Sequence, residues 1–555
     1  MTKLRNGGRI LVDNLVAQGC DRIFHVPGES FLAVLDALHD MPEVDLVTCR
    51  QEGGAAFMAC ADGTMTGKPG VCFVTRGPGA TNASIGVHVA MQDSQPMLLF
   101  IGDVDRSMRD REGFQEVDFP AMFAPLAKWA TRIEDARRIP EYIARAWNVA
   151  ISGRPGPVVI ALPEDMLLDE VEAMDRPGLE GAWRSADYIG VESILSELRE
   201  AERPIAIVGG AGWTPDAGRD FAAFAEAIGL PVAAAFRRQD AISNQSPVWA
   251  GNLGYGPNPK LVGRIKDADL LLVVGARLGE ATTDGYSLVT PDHPGQKLIH
   301  IHPDPNELNR VYRTDVALCA PCGAFAEAAR HCVTDSHDDE PLPTFAGAEA
   351  HAEWLDWSTP KPREGVTLDL GQCVAAMRER LGPDDAIICN GAGNFSAWWH
   401  RYWHYGAQPS QLAPTAGAMG YGTPAAVAAA LRRKDKLAVA LAGDGDFMMN
   451  GQELATAIQH DANMLVLVID NRAYGTIRMH QEREFPARLS GTMLHNPDFA
   501  ALARAYGCWA ETVERTAEFA PALDRALGQT GVRLLHLKTD VEFITPGTTI
   551  TAIRG

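Results

Sequence analysis

Two apolar segments separated by a glycine-flanked aspartate constrain the fold of this chain more than any other feature. The runs at 437–442 and 464–469 contain no charged residue. Such short runs are typical of strands that are buried on both faces of a parallel sheet. Between them lie Gly443-Asp444-Gly445 and a segment with a helical pattern at 451–458. The order strand, glycine-rich turn, helix and strand predicts one βαβ unit.

Asp444 and Asn471 each follow one of these two predicted strands. The carboxyl ends of parallel strands meet at one edge of a sheet, where open α/β sheets bind ligands. Their side-chain oxygens are hard ligands that suit Mg²⁺, which takes its other ligands from water and phosphate. The glycines would let backbone N–H groups approach a diphosphate at a helix N-terminus. The alternative is an ordinary βα turn with a solvated aspartate, but the asparagine after the next strand favours the ligand interpretation.

Strands and helices alternate along the whole chain, which predicts an α/β fold with three doubly wound parallel sheets. We expect an N-terminal domain over residues 1–168, a central domain over 185–335 and a C-terminal domain over 365–548. Polar linkers at about 170–190 and 335–363 separate them, and the second contains the acidic run 338–340. The first and third domains share a layout of strands, turns and helices.

Composition excludes several classes of function. The formal net charge of −21 argues against a nucleic-acid partner, because phosphate backbones attract basic surfaces. No apolar run reaches membrane-spanning length, so we expect no membrane partner. The first residues do not resemble a signal peptide, and the CxxC at Cys319–Cys322 lacks the second pair that a zinc site needs. These features lead us to expect a cytoplasmic protein.

Several short motifs are spread from one end of the chain to the other. They are Val26-Pro27-Gly28, Gln51-Glu52-Gly53-Gly54, Gly77-Pro78-Gly79-Ala80-Thr81-Asn82, Phe114-Gln115-Glu116, Ser152-Gly153-Arg154-Pro155-Gly156-Pro157, Gly417-Ala418-Met419-Gly420 and Asn450-Gly451-Gln452-Glu453-Leu454. Together with the GDG unit, they resemble the thiamine diphosphate (ThDP) enzymes, and in particular the acetolactate synthase-like branch of large catalytic subunits. The resemblance covers nearly the whole chain. It implies pyrimidine-binding, central and diphosphate-binding domains, in that order.

The resemblance also implies which residues bind the cofactor and its metal. Asp444, Asn471 and the backbone carbonyl of Ala473 would hold Mg²⁺. The full set of implied cofactor-binding residues is Pro27, Gly28, Glu52, Gly391, Asn394, Phe395, Gly417, Met419, Gly443, Asp444, Gly445, Asp446, Asn471, Ala473, Tyr474, Gly475 and Thr476.

Glu52 is the implied catalytic acid. ThDP reacts once its thiazolium C2 loses a proton to the cofactor's own 4′-amino group, and a carboxyl group at the pyrimidine N1′ makes this transfer feasible. The alternative for Glu52 is an ordinary glutamate at a helix N-terminus. Met419 would hold the cofactor bent and the Gly417 carbonyl would accept from its amino group, although methionine is most often core filler.

The segment that would face the substrate contains Phe114 and Gln115, and Gln115 is the second implied catalytic residue. Lys128 matches a lysine near this segment, although a lysine is usually a surface residue. Acetolactate synthases usually have a tryptophan in the 2-ketoacid pocket, and His480 takes the matching position here. A histidine there would meet an acidic or polar substrate, or lie on a solvated rim. The central segment after Gly275-Ala276-Arg277 differs from the family's flavin pattern, so FAD is an unfavoured alternative.

We expect a ThDP- and Mg²⁺-dependent carboligase or lyase that acts on a 2-ketoacid or a related small carbonyl compound, as acetolactate synthase does. Other members of the branch stay open: enzymes like sulfoacetaldehyde acetyltransferase, hydroxyacyl- or oxalyl-CoA lyase, dione hydrolase or flavin-linked pyruvate oxidase. A non-catalytic binding protein with this fold is less favoured, because Glu52, Asp444 and Asn471 are all present. The resemblance implies a homodimer or homotetramer with its active site at the subunit interface.

Overall fold

Parallel strands form three six-stranded sheets in the computed structural model of this protein, which describes residues 4–178, 188–334 and 342–555. The predicted fold class is confirmed, since each sheet is parallel and alternates with helices. Parts of both predicted linkers, including the acidic run 338–340, lie outside the described residues. No helix in the described ranges is both long and apolar enough to cross a membrane.

The elements of the N-terminal part run in alternating order. They are β1 (Leu4–Asn6), α1 (Gly7–Ala17), β2 (Arg22–His25), α2 (Leu32–His39), β3 (Asp45–Thr48), α3 (Glu52–Thr66), β4 (Gly70–Val74), α4 (Gly77–Asp93), β5 (Met97–Asp103), α5 (Phe119–Phe123), β6 (Trp129–Arg132), α6 (Ile139–Ile151), β7 (Pro157–Pro163) and β8 (Glu170–Glu172). The sheet order is β3-β2-β4-β5-β7-β6, and β1 pairs with β8 in a separate antiparallel ribbon.

The central part follows the same alternation. Its elements are α7 (Tyr188–Glu200), β9 (Pro204–Val208), α8 (Pro215–Ala227), β10 (Val232–Ala234), β11 (Trp249–Asn252), α9 (Pro259–Asp267), β12 (Leu270–Val274), β13 (Lys297–His302), β14 (Val316–Cys319), α10 (Cys322–Thr334) and α11 (Gly347–Trp357). The sheet order is β11-β10-β9-β12-β13-β14. Alternate residues of β12 enter two different apolar cores, because successive side chains point to opposite faces and both faces are buried.

The C-terminal part contains the GDG unit. Its elements are α12 (Leu370–Arg378), β15 (Ala386–Asn390), α13 (Ser396–Tyr402), β16 (Gln411–Leu412), α14 (Gly422–Arg432), β17 (Leu437–Gly443), α15 (Asp444–Asn450), α16 (Glu453–Gln459), β18 (Met464–Asp470), α17 (Gly475–Glu484), α18 (Phe499–Ala505), β19 (Trp509–Val513), α19 (Thr516–Leu527), β20 (Val532–Lys538) and α20 (Ile550–Arg554). The sheet order is β16-β15-β17-β18-β20-β19.

The N-terminal and C-terminal sheets have the same topology. If the strands of each sheet are numbered from its own first member, both sheets read 2-1-3-4-6-5, whereas the central sheet reads 3-2-1-4-5-6. The strand order of the C-terminal sheet reverses between β15 and β17. Ligands of open α/β sheets bind outside the carboxyl ends of the strands at such a switch point. The loops after β15, β17 and β18 are therefore the first places to look for a site.

Contacts divide the chain into two compact units. One contains the residues up to 182 together with 414–432 and 449–463, and the other contains 183–413, 433–448 and 464–555. The first unit thus includes α14 and α16, which pack on each other, and α14 packs on α3. The predicted helix at 451–458 corresponds to α16, with the short α15 before it.

Candidate active site

Asp444 and Asn471 lie at the ends of neighbouring strands. Strands β17 and β18 are parallel and pair Gly443 with Ile469, so Asp444 begins α15 where Asp470 ends β18. The Asp444 side chain is buried, with 2% of its surface exposed, while Asn471 is half-buried. The predicted proximity of the two residues follows from the parallel pairing of the strands.

Two carboxylates meet at this edge and share one amide. The Asn496 side-chain nitrogen donates to Oδ2 of Asp444 at 2.7 Å and to Oδ1 of Asp470 at 2.8 Å. Nε2 of the buried His536 lies 2.9 Å from Oδ2 of Asp470. Burial, together with the nearby Asp470 carboxylate, raises the pKa of Asp444 to about 6. Burial also acts on Asp470, but hydrogen bonds from His536, Asn496 and the backbone bring its pKa below the usual value.

Glycines at this edge lie where a side chain would collide with a neighbouring loop. A Cβ on Gly391 would lie 2.0 Å from the carboxylate of Asp446, which accepts the Ala392 N–H at 3.2 Å. A Cβ on Gly445 would lie 2.5 Å from the Tyr474 ring. The glycines therefore allow the loops after β15, β17 and β18 to pack directly on one another.

Hydrogen bonds hold the loop after β18 in place. Oδ1 of Asn471 accepts the Ala473 N–H at 3.0 Å. Tyr474 N donates to the Thr492 carbonyl at 2.9 Å, and Leu494 N donates to the Arg472 carbonyl at 2.8 Å. The Ala473 carbonyl takes no part in these three bonds.

The loop after β15 is tied to the start of α17. The Thr476 hydroxyl accepts the Asn394 N–H and donates to Oδ1 of Asn394, both at 3.0 Å. A Cβ on Gly443 would lie 2.9 Å from the ring of the buried Phe395. Within this unit, the structure thus brings together the predicted cofactor residues that follow β15, β17 and β18, whereas Gly417 and Met419 belong to the other unit.

Glu52 begins helix α3 in the other unit and is half-buried. Its Oε2 accepts a hydrogen bond of 3.0 Å from the Asn82 amide. A Cβ on Gly79 would lie 3.6 Å from its Oε1. The predicted acid and the glycine-rich segment Gly77–Asn82 are therefore in contact.

Glu453 supports the start of α3, and sequence reasoning assigned it no role. Its side chain is fully buried, and both carboxylate oxygens accept the Arg50 N–H, at 3.2 and 3.3 Å. A Cβ on Gly54 would lie 2.6 Å from its Oε1. Burial raises the pKa of Glu453. Glu453 belongs to one of the motifs, but Arg50 lies 403 residues earlier in the chain, and local patterns do not reveal this contact.

The segment with Gln115 forms a strained loop. Asp110, Glu112 and Gln115 all have positive φ angles, of 61°, 53° and 64°. The Glu116 carboxylate accepts the N–H groups of Asp110 and Gly113, each at 2.8 Å. Strain of this kind persists where the surrounding contacts enforce it, and it is frequent at functional sites.

Phe114 stands out from this loop with 71% of its surface exposed. The Gln115 carbonyl accepts the Gly77 N–H at 3.0 Å, which joins the loop to the start of α4. The buried Arg76 guanidinium lies 2.9 Å from Glu29 and 3.4 Å from the Phe114 carbonyl. Hydrogen bonds thus join the glycine-rich turn at Gly77 directly to the predicted substrate-facing loop.

Asp93 anchors the loop that carries Met419. Its carboxylate accepts the N–H groups of Thr415 and Ala416, each at 3.0 Å. In this loop Gly417 is exposed and has a φ of 68°, and Met419 is half-buried. In the same unit, Pro27 is exposed and Gly28 packs on Thr75, where a Cβ would lie 2.5 Å away.

Three models of one family match the chain in sequence order. They are the N-terminal TPP binding domain of thiamine pyrophosphate enzymes at residues 5–122, the central domain at 191–329 and the C-terminal TPP binding domain at 391–537. Thiamine pyrophosphate (TPP) is another name for ThDP.

Curated relatives extend the match over nearly the full length. The acetolactate synthase isozyme 2 large subunit of Escherichia coli (strain K12) is 30% identical over 547 residues, which cover 96% of each chain. The chain belongs to the thiamine pyrophosphate enzymes, in their acetolactate synthase-like branch.

Other relatives of this ThDP enzyme come from distant organisms. The acetolactate synthase large subunit of Corynebacterium glutamicum is 30% identical over 540 residues, which cover 94% of this chain and 84% of that protein. A probable acetolactate synthase large subunit of Methanocaldococcus jannaschii is 28% identical over 570 residues, which cover 99% and 95%. The resemblance to the branch is confirmed, and the comparisons do not indicate FAD.

Two predicted substrate residues of this ThDP enzyme have different surroundings. The Lys128 ammonium donates to the carbonyls of Val149 and Ser152 at the end of α6, at 2.5 and 2.7 Å. These contacts stabilise a helix C-terminus. His480 is exposed on α17. The proposed substrate roles of Lys128 and His480 therefore stay predictions.

We next consider clusters of metal-binding side chains and the cysteines. The described residues contain no cluster of three His, Cys, Asp or Glu side chains that could hold a metal ion. A site built from one carboxylate, one amide oxygen and one backbone carbonyl is of a different kind. All ten cysteines are free, and Cys72 and Cys389 are fully buried as small core residues.

Proposed function

We propose that this ThDP enzyme depends on Mg²⁺ and forms or breaks a bond next to a carbonyl group, with a 2-ketoacid or a related small carbonyl compound as substrate. The observation that carries the proposal is the position of Asp444 and Asn471 at the ends of two paired strands. The names of the acetolactate synthase relatives support the carboligase assignment. We also propose the domain ranges 1–168, 185–335 and 365–548, which contain the three family matches.

The residues present fit a divalent cation. The Asp444 carboxylate is buried next to a second carboxylate, and a cation would offset their repulsion. Asn471 and the Ala473 carbonyl supply the neutral hard oxygens that Mg²⁺ accepts. We assign Asp444, Asn471 and Ala473 to the metal and the loops after β15, β17 and β18 to the diphosphate.

When bound, ThDP supplies an acidic C2–H and an electron sink for the bond that breaks next to the carbonyl. The Glu52 carboxyl would hold a proton at the pyrimidine N1′, and the hydrogen bond from Asn82 fixes the orientation of that carboxyl. The Gly417 carbonyl would accept from the 4′-amino group, and Met419 would support the bent cofactor. Phe114 and Gln115 would face the substrate on their strained loop.

We further propose that the enzyme is a homodimer or homotetramer with active sites shared between subunits. Each compact unit exposes large apolar side chains near its predicted site residues, and such patches mark interaction surfaces. They are Ile85 and Ile458 in one unit and Ile477, Phe485, Leu489 and Met493 in the other. The free cysteines support a reducing, cytoplasmic location.

Two substitutions test the assigned roles. Glu52→Gln should abolish C2 proton exchange, followed by NMR, while Mg²⁺–ThDP still binds. Asp444→Ala should weaken binding of Mg²⁺ and ThDP in calorimetry. Wild-type exchange in the first variant, or wild-type affinity in the second, contradicts the corresponding role.

Mixing these two inactive variants tests the shared site. A mixed dimer would pair one intact Glu52 with the intact Asp444 of the other chain, so about half of the wild-type activity per dimer should return. Sites confined to one chain would restore nothing. A screen of 2-ketoacids, with acyl-CoAs as the competing class, identifies the substrate by product mass spectrometry.

A further inference from the structure

Asn496 uses both N–H groups of its amide on two different carboxylates. Its nitrogen lies 2.7 Å from Asp444 and 2.8 Å from Asp470. Both partners are acceptors, so only the amide nitrogen can face them. The following Pro497 and the N-terminus of α18, where Asp498 accepts the Ala501 N–H at 3.0 Å, fix the backbone around Asn496.

Asp470 is itself fixed from the opposite side. Nε2 of His536, on β20, lies 2.9 Å from its Oδ2, and the Arg472 N–H donates to its Oδ1 at 3.1 Å. The Asn496 amide is the side-chain donor to Asp444, whose other hydrogen-bond partners are the Gly445 backbone and the neighbouring Asp470 carboxyl group. The bridge through Asn496 therefore joins the Asp444 carboxylate to the fixed Asp470.

We propose that Asn496 is a positioning residue for the metal, which holds the Asp444 carboxylate beside Asp470 by donating one N–H to each. This inference rests on the proposed role of Asp444 as a metal ligand. Hydrogen bonds to charged acceptors are short and strong, so the bridge opposes the repulsion between the two carboxylates. Loss of such a partner to a metal-binding carboxylate typically weakens metal binding by about 10- to 100-fold.

The test measures Mg²⁺ affinity of the ThDP-loaded protein by calorimetry and the thermal midpoint of the protein without cofactor. Asn496→Ala should weaken Mg²⁺ binding by about 10- to 100-fold. Asn496→Ser keeps one hydrogen-bond donor and should therefore lose less Mg²⁺ affinity. This variant replaces Asn496→Ala in the test if the alanine variant does not fold. Asn306→Ala is the matched control, because that exposed amide also donates to a carboxylate, Asp304 at 2.9 Å, in the central part.

A double variant separates positioning from a purely structural role. Asp470→Asn combined with Asn496→Ala places a new amide donor beside Asp444, so part of the lost Mg²⁺ affinity should return. A structural role alone would lower the thermal midpoint without this recovery. Wild-type Mg²⁺ affinity in the single variants, or no recovery in the double variant, overturns the inference. If the wild-type protein binds no Mg²⁺ with ThDP, the proposed function fails instead.

Discussion

Replacing Glu453 by glutamine tests how the start of α3 is held. Glu453 is fully buried and receives the Arg50 N–H on both carboxylate oxygens, and the Thr456 hydroxyl donates to it at 2.5 Å. Arg50 precedes Glu52 by two residues. Glutamine has the same shape, but one of its two acceptor atoms becomes an NH₂ donor, so a donor would face a donor.

The size of the effect follows from two opposing contributions. A hydrogen bond to a charged acceptor contributes about 1.5–3 kcal/mol, and Glu453→Gln removes or weakens one. Burial raises the pKa of Glu453, which means that the buried charge is itself costly, and the neutral amide avoids that cost. We expect a net loss of about 1–2 kcal/mol in the free energy of unfolding. A displacement of Glu52 by about 1 Å would lower the rate by up to about 100-fold.

The assay combines urea unfolding with C2 proton exchange of bound ThDP. Glu453→Gln should unfold at lower urea and slow the exchange, whereas Glu43→Gln, at an exposed position of the same unit, should do neither. Unchanged stability together with wild-type exchange would refute the supporting role of Glu453. Slower exchange with unchanged cofactor affinity would locate the defect at Glu52 and not at the diphosphate.

Three further substitutions have defined outcomes. Gly391→Ala would place a methyl group 2.0 Å from Asp446, so calorimetric unfolding without cofactor should show a loss of about 1–3 kcal/mol; an unchanged midpoint contradicts this packing. Burial lowers the pKa of His404 to about 3 in the folded protein. As the pH falls below about 6.5, the imidazole therefore takes up a proton in the unfolded chain but not in the folded one, and the folded protein loses stability. The His404→Gln variant lacks this imidazole, so between pH 7 and 5.5 its free energy of unfolding, measured with urea, should fall by about 1 kcal/mol less than that of the wild type. An equal fall in both proteins would contradict the prediction. Glu116→Gln should speed amide hydrogen exchange at the two N–H groups that its carboxylate accepts, measured by mass spectrometry, and unchanged protection would count against its role in the loop.

The parts of this fold that could be predicted from the sequence are those with local causes. Short apolar runs indicated strands such as β17 and β18, and alternation with helices indicated that they are parallel. Parallel pairing then brings Asp444 and Asn471 to one edge without any further information. The same strand order in the first and third sheets matches the layout that the two domains share in sequence.

Other parts depend on contacts between distant segments, which local patterns do not contain. Asn496 lies in no recognised motif, and its two partners are 52 and 26 residues away. Asp470 follows the apolar run 464–469 directly, but its pairing with His536, 66 residues later, has no local signal. The positive φ angle of Gln115 is enforced by its loop, and glutamine has no intrinsic preference for it.

The glycines of the motifs have a second role that changes how such motifs are interpreted. The glycines of the GDG turn are predicted to let backbone N–H groups approach a diphosphate. In the structure, a Cβ at Gly391, Gly445 or Gly54 would lie 2.0, 2.5 or 2.6 Å from a side-chain atom of another motif. Each glycine therefore also allows two distant segments to touch, which is a requirement of the folded protein before any ligand binds. A motif that is preserved as a set thus indicates a packed framework as well as a cofactor, because loss of one glycine would displace the partner loop and the side chains it carries.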